Sequence, residues 1–218
     1  MDHYTLPDFS HCALLTIDMQ NDFALPEAPA MVSGTMDIVP ALQRLLTCCR
    51  SKAVPIVHVI RLYLADGSNV DLCRRRRIQQ RPDIVAPDTE GAKLLAPLLP
   101  AGTAAVDGPA LLQGAIQQLA NNEWVVYKAR WGAFFQTKLE TWLKENGINT
   151  LIFTGCNFPN CPRTSLYEAS ERDFRIVAVA DALSGLYDKG LEEIRGIGGA
   201  VYTVAELMDL LPVHGQAS

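Results

Sequence analysis

The sequence predicts an α/β fold, a three-layer α/β/α sandwich around a mainly parallel sheet of six strands. Short, almost wholly apolar runs, which are typical of strands covered on both faces, alternate with segments of helical periodicity. At 218 residues the chain is long enough for one well-buried domain, and neither a repeat nor a linker divides residues 1–218.

The first half of the chain begins as a strand, a helix and a second strand. The apolar run 12–18 predicts the first strand, residues 38–49 have helical spacing, and residues 54–60 predict the second strand. Residues 62–110 then lose this regularity in clusters of Asp, Gly, Pro and Arg. Because this segment is too long for a simple connection, we expect an irregular excursion with short helices beside the site.

Regular structure returns in the second half of the chain, where Gly147 marks the end of one helix. The predicted elements are a strand at 124–128, a helix at 137–146, a strand at 149–155, a helix from about Cys161, a strand at 174–181, a helix at 190–197, an edge strand at 200–204 and a short helix at 205–211. With the two strands of the first half, the strands number six.

The charge of the chain narrows the classes of partner. A net charge of −5 disfavours a nucleic-acid-binding protein, because such proteins concentrate positive charge against phosphate. One basic run departs from this balance. We interpret it as a solvated face, with a subunit interface or an anion-attracting rim as alternatives, and it comprises Arg74, Arg75, Arg76 and Arg77.

Cysteine usage and hydropathy indicate the compartment. No apolar stretch approaches the roughly 20 residues that cross a bilayer, and residues 1–11 lack the basic and apolar regions of a secretory signal. The six cysteines are scattered without a CxxC pair, which suits a reducing environment. We therefore expect a cytoplasmic protein without a membrane partner.

Chemically capable residues follow three of the predicted strands. In open α/β sheets the ligand crevice lies beyond the carboxyl ends of the strands, at a topological switch point. Asp18 ends the first strand, Lys128 ends the strand 124–128, and the turn TGCNFPNC after the strand 149–155 leads to Cys161. These three residues are the candidate site.

Cys161 lies where a strand turns into a helix, and Pro162 follows it at a position that suits the first turn of a helix. A thiol near a helix N-terminus faces unpaired N–H groups and the positive end of the helix dipole, which both favour the thiolate. The same N–H groups are able to hold an oxyanion. The alternative is a buried structural thiol, which is a common role of free cysteine.

Asp18 and Lys128 have both a catalytic and a structural interpretation. A partly desolvated carboxylate at the end of a buried strand is a good proton acceptor, but Asp18 also suits a turn. Lys128 needs a carboxylate partner if it is buried, and otherwise it is a surface lysine. Arg130 is an alternative to Lys128, and we give Asp22 a structural role in the turn after Asp18.

Three segments combine these residues in a specific spacing: LLTIDMQNDF, YKARWGAFFQTKLETWLKENGINTLIFTG and GCNFPNCPRTSLYEASERDFRIVAVADAL. Together they resemble the isochorismatase-like cysteine hydrolases, the superfamily that contains nicotinamidases, carbamoylsarcosine amidase and ureidoacrylate amidohydrolase. The resemblance implies a catalytic triad of Asp18, Lys128 and Cys161 and a six-stranded parallel sheet. It also implies a cis peptide bond between Cys156 and Asn157, and oxyanion donors in the backbone N–H groups of Asn157 and Cys161.

The chain departs from this family at the turn before the nucleophile, where Phe158, Pro159 and Pro162 alter the pocket wall. Metal-dependent nicotinamidases share a D-x-H-x-x-H cluster after the second strand, whereas this chain has only His58 there. We therefore expect no catalytic metal, no cofactor, and a substrate other than nicotinamide. The candidates to line the pocket of a small-molecule substrate are Phe23, Trp131, Phe158 and Arg163.

The resemblance implies two-step acyl transfer, in which Cys161 attacks an amide, ureido or carbamoyl carbonyl and water resolves the thioester. Two alternatives are an isochorismatase-type vinyl-ether hydrolase, which does not need the cysteine, and a binding or thiol-redox module that uses Cys156 and Cys161. Family members commonly form dimers or tetramers, so we expect a homo-oligomer.

Overall fold

The computed structural model describes residues 2–213, and a seven-stranded sheet forms its centre. The strands are β1 (Cys12–Ile17), β2 (Ile56–Ile60), β3 (Ile116–Ala120), β4 (Glu123–Tyr127), β5 (Thr150–Gly155), β6 (Arg175–Leu183) and β7 (Ala200–Tyr202). Their order across the sheet is β3-β4-β2-β1-β5-β6-β7. All neighbouring pairs are parallel except β3 and β4, which are antiparallel.

Helices connect these strands, and three 3₁₀ turns (Phe9–His11, Met36–Ile38 and Ala96–Leu98) lie among the described connections. The α-helices are α1 (Asn21–Ala24), α2 (Val39–Ser51), α3 (Leu72–Gln80), α4 (Gly108–Leu112), α5 (Leu139–Glu145), α6 (Cys161–Ser170), α7 (Asp188–Gly196) and α8 (Val204–Leu210). No helix among residues 2–213 is long and apolar enough to span a bilayer.

The predicted three-layer α/β/α sandwich is confirmed, because successive side chains of β1 enter two different apolar clusters. Leu14 faces α2 and α8, whose contributions to this first cluster include Leu42, Leu45, Val204 and Leu207. Leu15 points to the opposite face and joins α5, α6 and α7, which contribute Leu139, Leu143, Leu166 and Ile194. A strand that is buried on both faces is almost wholly apolar, and all six residues of β1, of which only Thr16 is polar, are buried.

The predicted strand number of six is wrong by one, because β3 was not recognised. Only Leu119 of β3 is fully buried, since the strand lies at the edge of the sheet, and it therefore lacks the continuous apolar run of the central strands. Its connection to β4 is the pair Asn121 and Asn122, and Asn122 has a φ of 53°. A short Asn-containing loop of this kind is typical of a tight hairpin.

The excursion expected at 62–110 holds α3, the 3₁₀ turn at Ala96–Leu98 and the beginning of α4. It is attached to the chain segment that follows β1. The carboxylate of Asp22 accepts a hydrogen bond from the N–H of Val85 at 2.7 Å, and the N–H of Asp22 donates to the carbonyl of Gly91 at 3.0 Å. Asp22 thus has the structural role that the sequence suggested, and these contacts hold the excursion at the carboxyl edge of the sheet.

The expected cis peptide bond between Cys156 and Asn157 is wrong, since all peptide bonds among residues 2–213 are trans. The chain leaves β5 at Gly155, which has a φ of 110°. The N–H of Cys156 then donates to the carbonyl of Ile17 at 2.8 Å, and the N–H of Phe158 donates to the carbonyl of Ser184 at 2.7 Å. Positive φ at a glycine therefore provides the sharp turn that a cis bond was expected to provide.

Replacement of Gly155 by alanine tests this turn. A Cβ at residue 155 would collide with the carbonyl oxygen of Ile17, and the φ of 110° disfavours any side chain. We expect Gly155→Ala to lower the free energy of unfolding by about 3–5 kcal/mol in urea titrations. Gly147→Ala is the matched control, because Gly147 has a φ of 70° but no heavy atom within 4 Å, and its loss should be about 1 kcal/mol. Equal losses would contradict this account of the turn.

Candidate active site

Four neighbouring strands, β4, β2, β1 and β5, bring chemically capable residues to the same edge of the sheet. Lys128 follows β4, Arg61 follows β2, Asp18 follows β1, and the turn after β5 leads to Cys161. The chain continues from β1 to β2 on one side, whereas β5 lies on the other side of β1. The cluster is therefore at the topological switch point, where α/β sheets bind their ligands.

Asp18 is held in a left-handed conformation with a φ of 54°, which is uncommon for a residue other than glycine and frequent at functional sites. Its N–H donates to the carbonyl of Val59 on the neighbouring strand at 2.8 Å. The carboxylate is 3% exposed, and Oδ2 accepts a hydrogen bond from Lys128 Nζ at 2.9 Å. This ion pair fixes one carboxylate oxygen and leaves Oδ1 without a protein partner.

Lys128, and not the alternative Arg130, contacts Asp18. Lys128 is fully buried, and its Nζ also lies 3.3 Å from the carbonyl oxygen of Arg130. The Arg130 guanidinium donates to the carbonyl of Asn69 at 2.7 Å and lies 5.8 Å from the ring centroid of Phe135. The Arg130 side chain is therefore engaged by Asn69 and Phe135, and it forms no ion pair with Asp18 in the described part of the chain.

Arg61 is the site residue that the sequence reasoning missed. Its side chain is fully buried, and Nη2 donates to Cys161 Sγ at 3.5 Å. Nη1 donates to Asp71 Oδ2 at 3.0 Å and to the carbonyl of Ala129 at 2.9 Å, while Nε lies 4.0 Å from Asp18 Oδ2. The available signal was a charged residue directly after a buried and mostly apolar strand, and the same signal indicates Asp18.

The charge of Arg61 is permanent in this environment. Burial by itself would lower the pKa of the guanidinium, but the acidic groups around it, led by Tyr63 and Cys161, raise that pKa above its ordinary value. A cation therefore lies beside the Cys161 sulfur.

Two polar side chains fix the position of Arg61. The amide of Gln20 accepts from the Arg61 N–H at 2.8 Å and donates to the Arg61 carbonyl at 2.8 Å. Gln20 also donates to the carbonyl of Ala92, in the excursion, at 2.7 Å. Asp71 is the N-cap residue of α3, but its side chain binds Arg61 and makes no capping hydrogen bond. Aspartate normally caps a helix, so this arrangement gives up a cap for an ion pair.

Cys161 is the first residue of α6 and is 3% exposed. Within residues 2–213, the N–H groups of Asn157 and Cys161 donate to no protein acceptor. Both predicted oxyanion donors are thus free to bind a ligand. Ser165, in the next turn of α6, links Cys161 to the loop that follows Lys128. Its Oγ donates to the Cys161 carbonyl at 2.7 Å and accepts from the N–H of Ala133 at 3.0 Å.

An alternating stack of arginines and aromatic rings covers the cluster. The Arg61 guanidinium carbon lies 5.6 Å from the ring centroids of both Tyr63 and Trp131, and that of Arg74 lies 4.0 Å from the Trp131 ring. Arg74 also donates to the Tyr63 hydroxyl at 2.7 Å, and burial raises the pKa of that phenol. The basic run is therefore divided, since Arg74 belongs to the site cover whereas Arg76 is exposed.

The predicted pocket residues fall into two groups. Trp131 lies in the cover, and Phe23 lines a cavity of ≈ 150 Å³ together with Tyr63 and Arg74. Phe158 and Arg163, by contrast, are directed to α7. Phe158 packs edge-on against the Tyr187 ring at 5.5 Å, and Arg163 forms an ion pair of 2.6 Å with Glu193. The partners of these two side chains lie 29 and 30 residues further along the chain, and their role in lining the substrate pocket stays a prediction.

The residues present do not fit a metal ion of the nicotinamidase kind. His58 is buried within β2, where its ring nitrogens lie 2.6 Å from Thr16 Oγ1 and 2.7 Å from Glu123 Oε1. In the described part of the chain no three His, Cys, Asp or Glu side chains form a possible metal site. The charged group that follows β2 is the Arg61 guanidinium, which repels a cation. His214 lies outside the described residues.

Cys156 differs from Cys161 in the environment of its thiol. Its Sγ accepts a hydrogen bond from Thr35 Oγ1 at 3.2 Å, and burial raises the pKa of this thiol to about 12. Both Cys156 and Cys161 are free thiols. A thiol with so high a pKa is a poor nucleophile at neutral pH, which disfavours the thiol-redox alternative.

Comparison with known proteins gives a consistent result. Residues 12–206 match the isochorismatase domain family. A probable inactive nicotinamidase of Arabidopsis thaliana is 28% identical over 200 residues, which are 89% of this chain and 93% of that protein. The N-carbamoylsarcosine amidase of an Arthrobacter species is 27% identical over 208 residues, covering 92% of this chain and 72% of that one. The crystal structure of an isochorismatase family protein from Desulfovibrio vulgaris superimposes with a TM-score of 0.78 at 32% identity and covers 92% and 98% of the two chains.

The buried ion pair makes a testable contribution to stability. We expect Lys128→Met to lower the free energy of unfolding by about 3–5 kcal/mol at neutral pH, because it leaves the Asp18 carboxylate buried without its hydrogen-bonded cation. Adding Asp18→Asn removes that uncompensated charge, so the double variant should lose clearly less than the sum of the single variants. Urea unfolding of the three variants measures this coupling.

The matched control for this test is Lys144→Met. Lys144 forms an exposed pair with Glu140 at a spacing of four residues, with 56% of its side chain accessible. Such a pair contributes only about 0.3–0.5 kcal/mol. A loss at Lys128 no larger than the loss at Lys144 would show that the Asp18 carboxylate does not depend on its ion pair.

Proposed function

The chain belongs to the isochorismatase family, and on that premise we propose that it is a cysteine-dependent hydrolase that cleaves a C–N bond of a small molecule. The bond lies in an amide, ureido or carbamoyl group. The observation that supports this function best is the hydrogen bond from a buried, permanently charged guanidinium to the sulfur of Cys161, at the first residue of a helix. A thiol in such surroundings is suited to act as a nucleophile.

In the proposed first step, Asp18 is the base. Its Oδ2 is bound to Lys128, so Oδ1 is the oxygen that takes the proton of the Cys161 thiol. The thiolate then attacks the substrate carbonyl carbon, and the N–H groups of Asn157 and Cys161 bind the resulting oxyanion. Asp18 returns the proton to the nitrogen, the C–N bond breaks, and ammonia or an amine leaves a thioester on Cys161.

Lys128 supports both charged states of this step. Its ammonium group is fully buried 2.9 Å from Asp18 Oδ2 and holds that carboxylate in place by a charged hydrogen bond. The same charge stabilises the negative charge that develops on the substrate. Replacement of Lys128 should therefore reduce the rate of the chemical step more than substrate binding.

The relatives bear on the choice of reaction. The name of the Arthrobacter relative denotes an amidase, which supports C–N cleavage, whereas the Arabidopsis relative is named as inactive. The present chain has an acid-base residue, a cation and a nucleophile at the strand ends, and we therefore propose that it is active. Because Arg61 stands where a metal cluster follows the second strand of metal-dependent nicotinamidases, we propose a metal-free reaction on a substrate other than nicotinamide.

The substrate pocket that we propose lies under the cover formed by Trp131 and reaches Phe23. Phe23 offers an apolar wall to the cavity of ≈ 150 Å³ that Tyr63 and Arg74 also line, which suits a planar or apolar group of the substrate. The carbonyl that is attacked would lie between Cys161 Sγ and the two free N–H groups.

Ammonia release from a panel of primary amides, ureido acids and carbamoyl compounds, including N-carbamoylsarcosine, tests the proposed function. We expect the wild-type chain to hydrolyse at least one class, and Cys161→Ala to reduce turnover at least about 10⁴-fold because no other nucleophile is available. Cys73→Ala is the matched control, since Cys73 is exposed on α3, and it should retain full activity. A Cys161→Ala variant that folds and still turns over would refute the assignment.

Chelation tests the metal-free mechanism. We expect dialysis against EDTA to leave the rate of ammonia release unchanged. His58 already contacts Glu123, Arg61 is a cation, and the described residues offer no set of metal ligands at the site. The measurement is the rate before dialysis, after dialysis and after addition of zinc or iron. Activity that falls with EDTA and returns with either metal would overturn the proposal.

A further inference from the structure

Two buried polar atoms at the catalytic cluster have no hydrogen-bond partner. They are Asp18 Oδ1, which is an acceptor, and Arg61 Nε, which is a donor. The two other buried side-chain atoms without a partner among residues 2–213 belong to Arg163 and Arg175. Leaving such an atom unpaired in the interior is unfavourable, so a donor and an acceptor that both lack partners at the proposed site need a functional explanation.

The two side chains are unable to satisfy each other. Arg61 Nε lies 4.0 Å from the Asp18 carboxylate, which is beyond hydrogen-bond distance. Lys128 holds Oδ2 of Asp18, while Asp71 and the carbonyl of Ala129 hold Nη1 of Arg61. Gln20 fixes the Arg61 backbone from both sides. Arg61 Nε and Asp18 Oδ1, a buried donor and a buried acceptor without partners in the same charge cluster, suit one small molecule that bridges them.

The bridging position is next to the reacting sulfur. Nη2 of the same guanidinium lies 3.5 Å from Cys161 Sγ, on the terminal nitrogen adjacent to Nε in the planar group. A molecule bound to Nε and to Asp18 Oδ1 is therefore close to the carbonyl carbon of any acyl group that Sγ carries.

We infer that Arg61 Nε and Asp18 Oδ1 bind the water molecule that hydrolyses the acyl-enzyme, which makes Arg61 a catalytic residue of deacylation. This inference rests on the proposed function. The water oxygen accepts a hydrogen bond from Nε and attacks the thioester carbon, while Oδ1 takes one of its protons. The C–S bond then breaks, the thiolate leaves beside Nη2, and Asp18 passes its proton to that sulfur. Water is consumed, the acid is released, and the thiol and the carboxylate are restored.

The fork of the arginine side chain is what makes this arrangement possible. Nη1 binds Asp71, Nη2 faces the leaving sulfur, and Nε is left for the water, so one planar group serves three partners at once. A lysine ammonium at residue 61 would keep the positive charge, but it has no second nitrogen in a fixed position. Arg61→Lys therefore separates the charge from the Nε donor.

The rate at which an acetyl group leaves Cys161 tests the inference. 4-Nitrophenyl acetate serves as the probe in a Cys73→Ala background, because an activated ester acetylates a reactive thiol whatever the natural substrate is. After rapid desalting, intact mass follows the loss of acetyl in buffer alone and in buffer with hydroxylamine. Hydroxylamine is a strong nucleophile that does not need a protein group to activate it.

We expect Arg61→Lys to slow the reaction with water about 100-fold, in the range for a lost catalytic hydrogen bond, and to change the reaction with hydroxylamine less than about threefold. Arg50→Lys is the matched control, because Arg50 binds the buried Glu123 through two nitrogens away from the site, and both of its rates should equal those of the parent. A merely structural role of Arg61 would slow both reactions equally. That result, or hydrolysis at the parental rate, would overturn the inference.

The outcomes separate this inference from the proposed function. If the parent takes up no acetyl group at Cys161, both fail. If the parent is acetylated and Arg61→Lys hydrolyses normally, only the role of Arg61 fails and the cysteine nucleophile stands. Should Arg61→Lys not fold, a high-resolution crystal structure of the parental acetyl-enzyme decides the question. A water within hydrogen-bond distance of both Nε and Oδ1 is expected, and density that shows none there would overturn the inference.

Discussion

The ion pair between Lys128 and Asp18 is the interaction on which the remaining structure of the site depends. Both groups are almost completely removed from solvent, and neither is stable as an ion in the interior without the other. The pair joins the ends of β4 and β1, which are separated by β2. The residue that follows β2 is therefore forced into the space between two buried charges, and in this chain that residue is Arg61.

Arg61 extends the pair into a cluster of four buried charges, because its guanidinium also binds Asp71. The two positive charges of Lys128 and Arg61 balance the two negative charges of Asp18 and Asp71. Asp71 begins α3, so the same ion pair that neutralises Arg61 also attaches the excursion to the sheet. The side chain of Asp71 therefore does not cap α3, and its ion pair with Arg61 holds the beginning of this helix in place.

Buried polar side chains also link the chain segments around the cluster by hydrogen bonds. Gln20 links the backbone of Arg61 to Ala92, Asp22 binds the N–H of Val85, and Ser165 joins the beginning of α6 to the loop that carries Trp131. Each of these polar groups is buried and must find a partner, and each finds it in a different segment of the chain. Hydrogen bonds between distant segments thus surround the sheet side of the site, while the excursion contributes Tyr63 and Arg74 to its cover.

The sequence by itself determined the fold class and the strand ends. Strands that are buried on both faces are almost wholly apolar, so the sequence predicts β1, β2 and β5 without any knowledge of their partners. A polar residue that directly follows such a strand lies at the carboxyl edge of the sheet. This rule identifies Asp18 and Lys128 as candidate site residues. The sequence does not predict the edge strand β3, because a strand with one buried residue lacks a continuous apolar run.

Only the tertiary structure decided which polar side chains meet. Arg61 carries the same local signal as Asp18, but its importance depends on Asp18, Asp71 and Cys161, which lie 43, 10 and 100 residues away along the chain. Arg163 had an equally plausible local pattern, yet Glu193 of α7 takes up its charge. Hydrophobic periodicity is a property of each segment and can be read locally. The partner of a buried charge is set by strand order and by the packing of distant segments, and no local pattern encodes it.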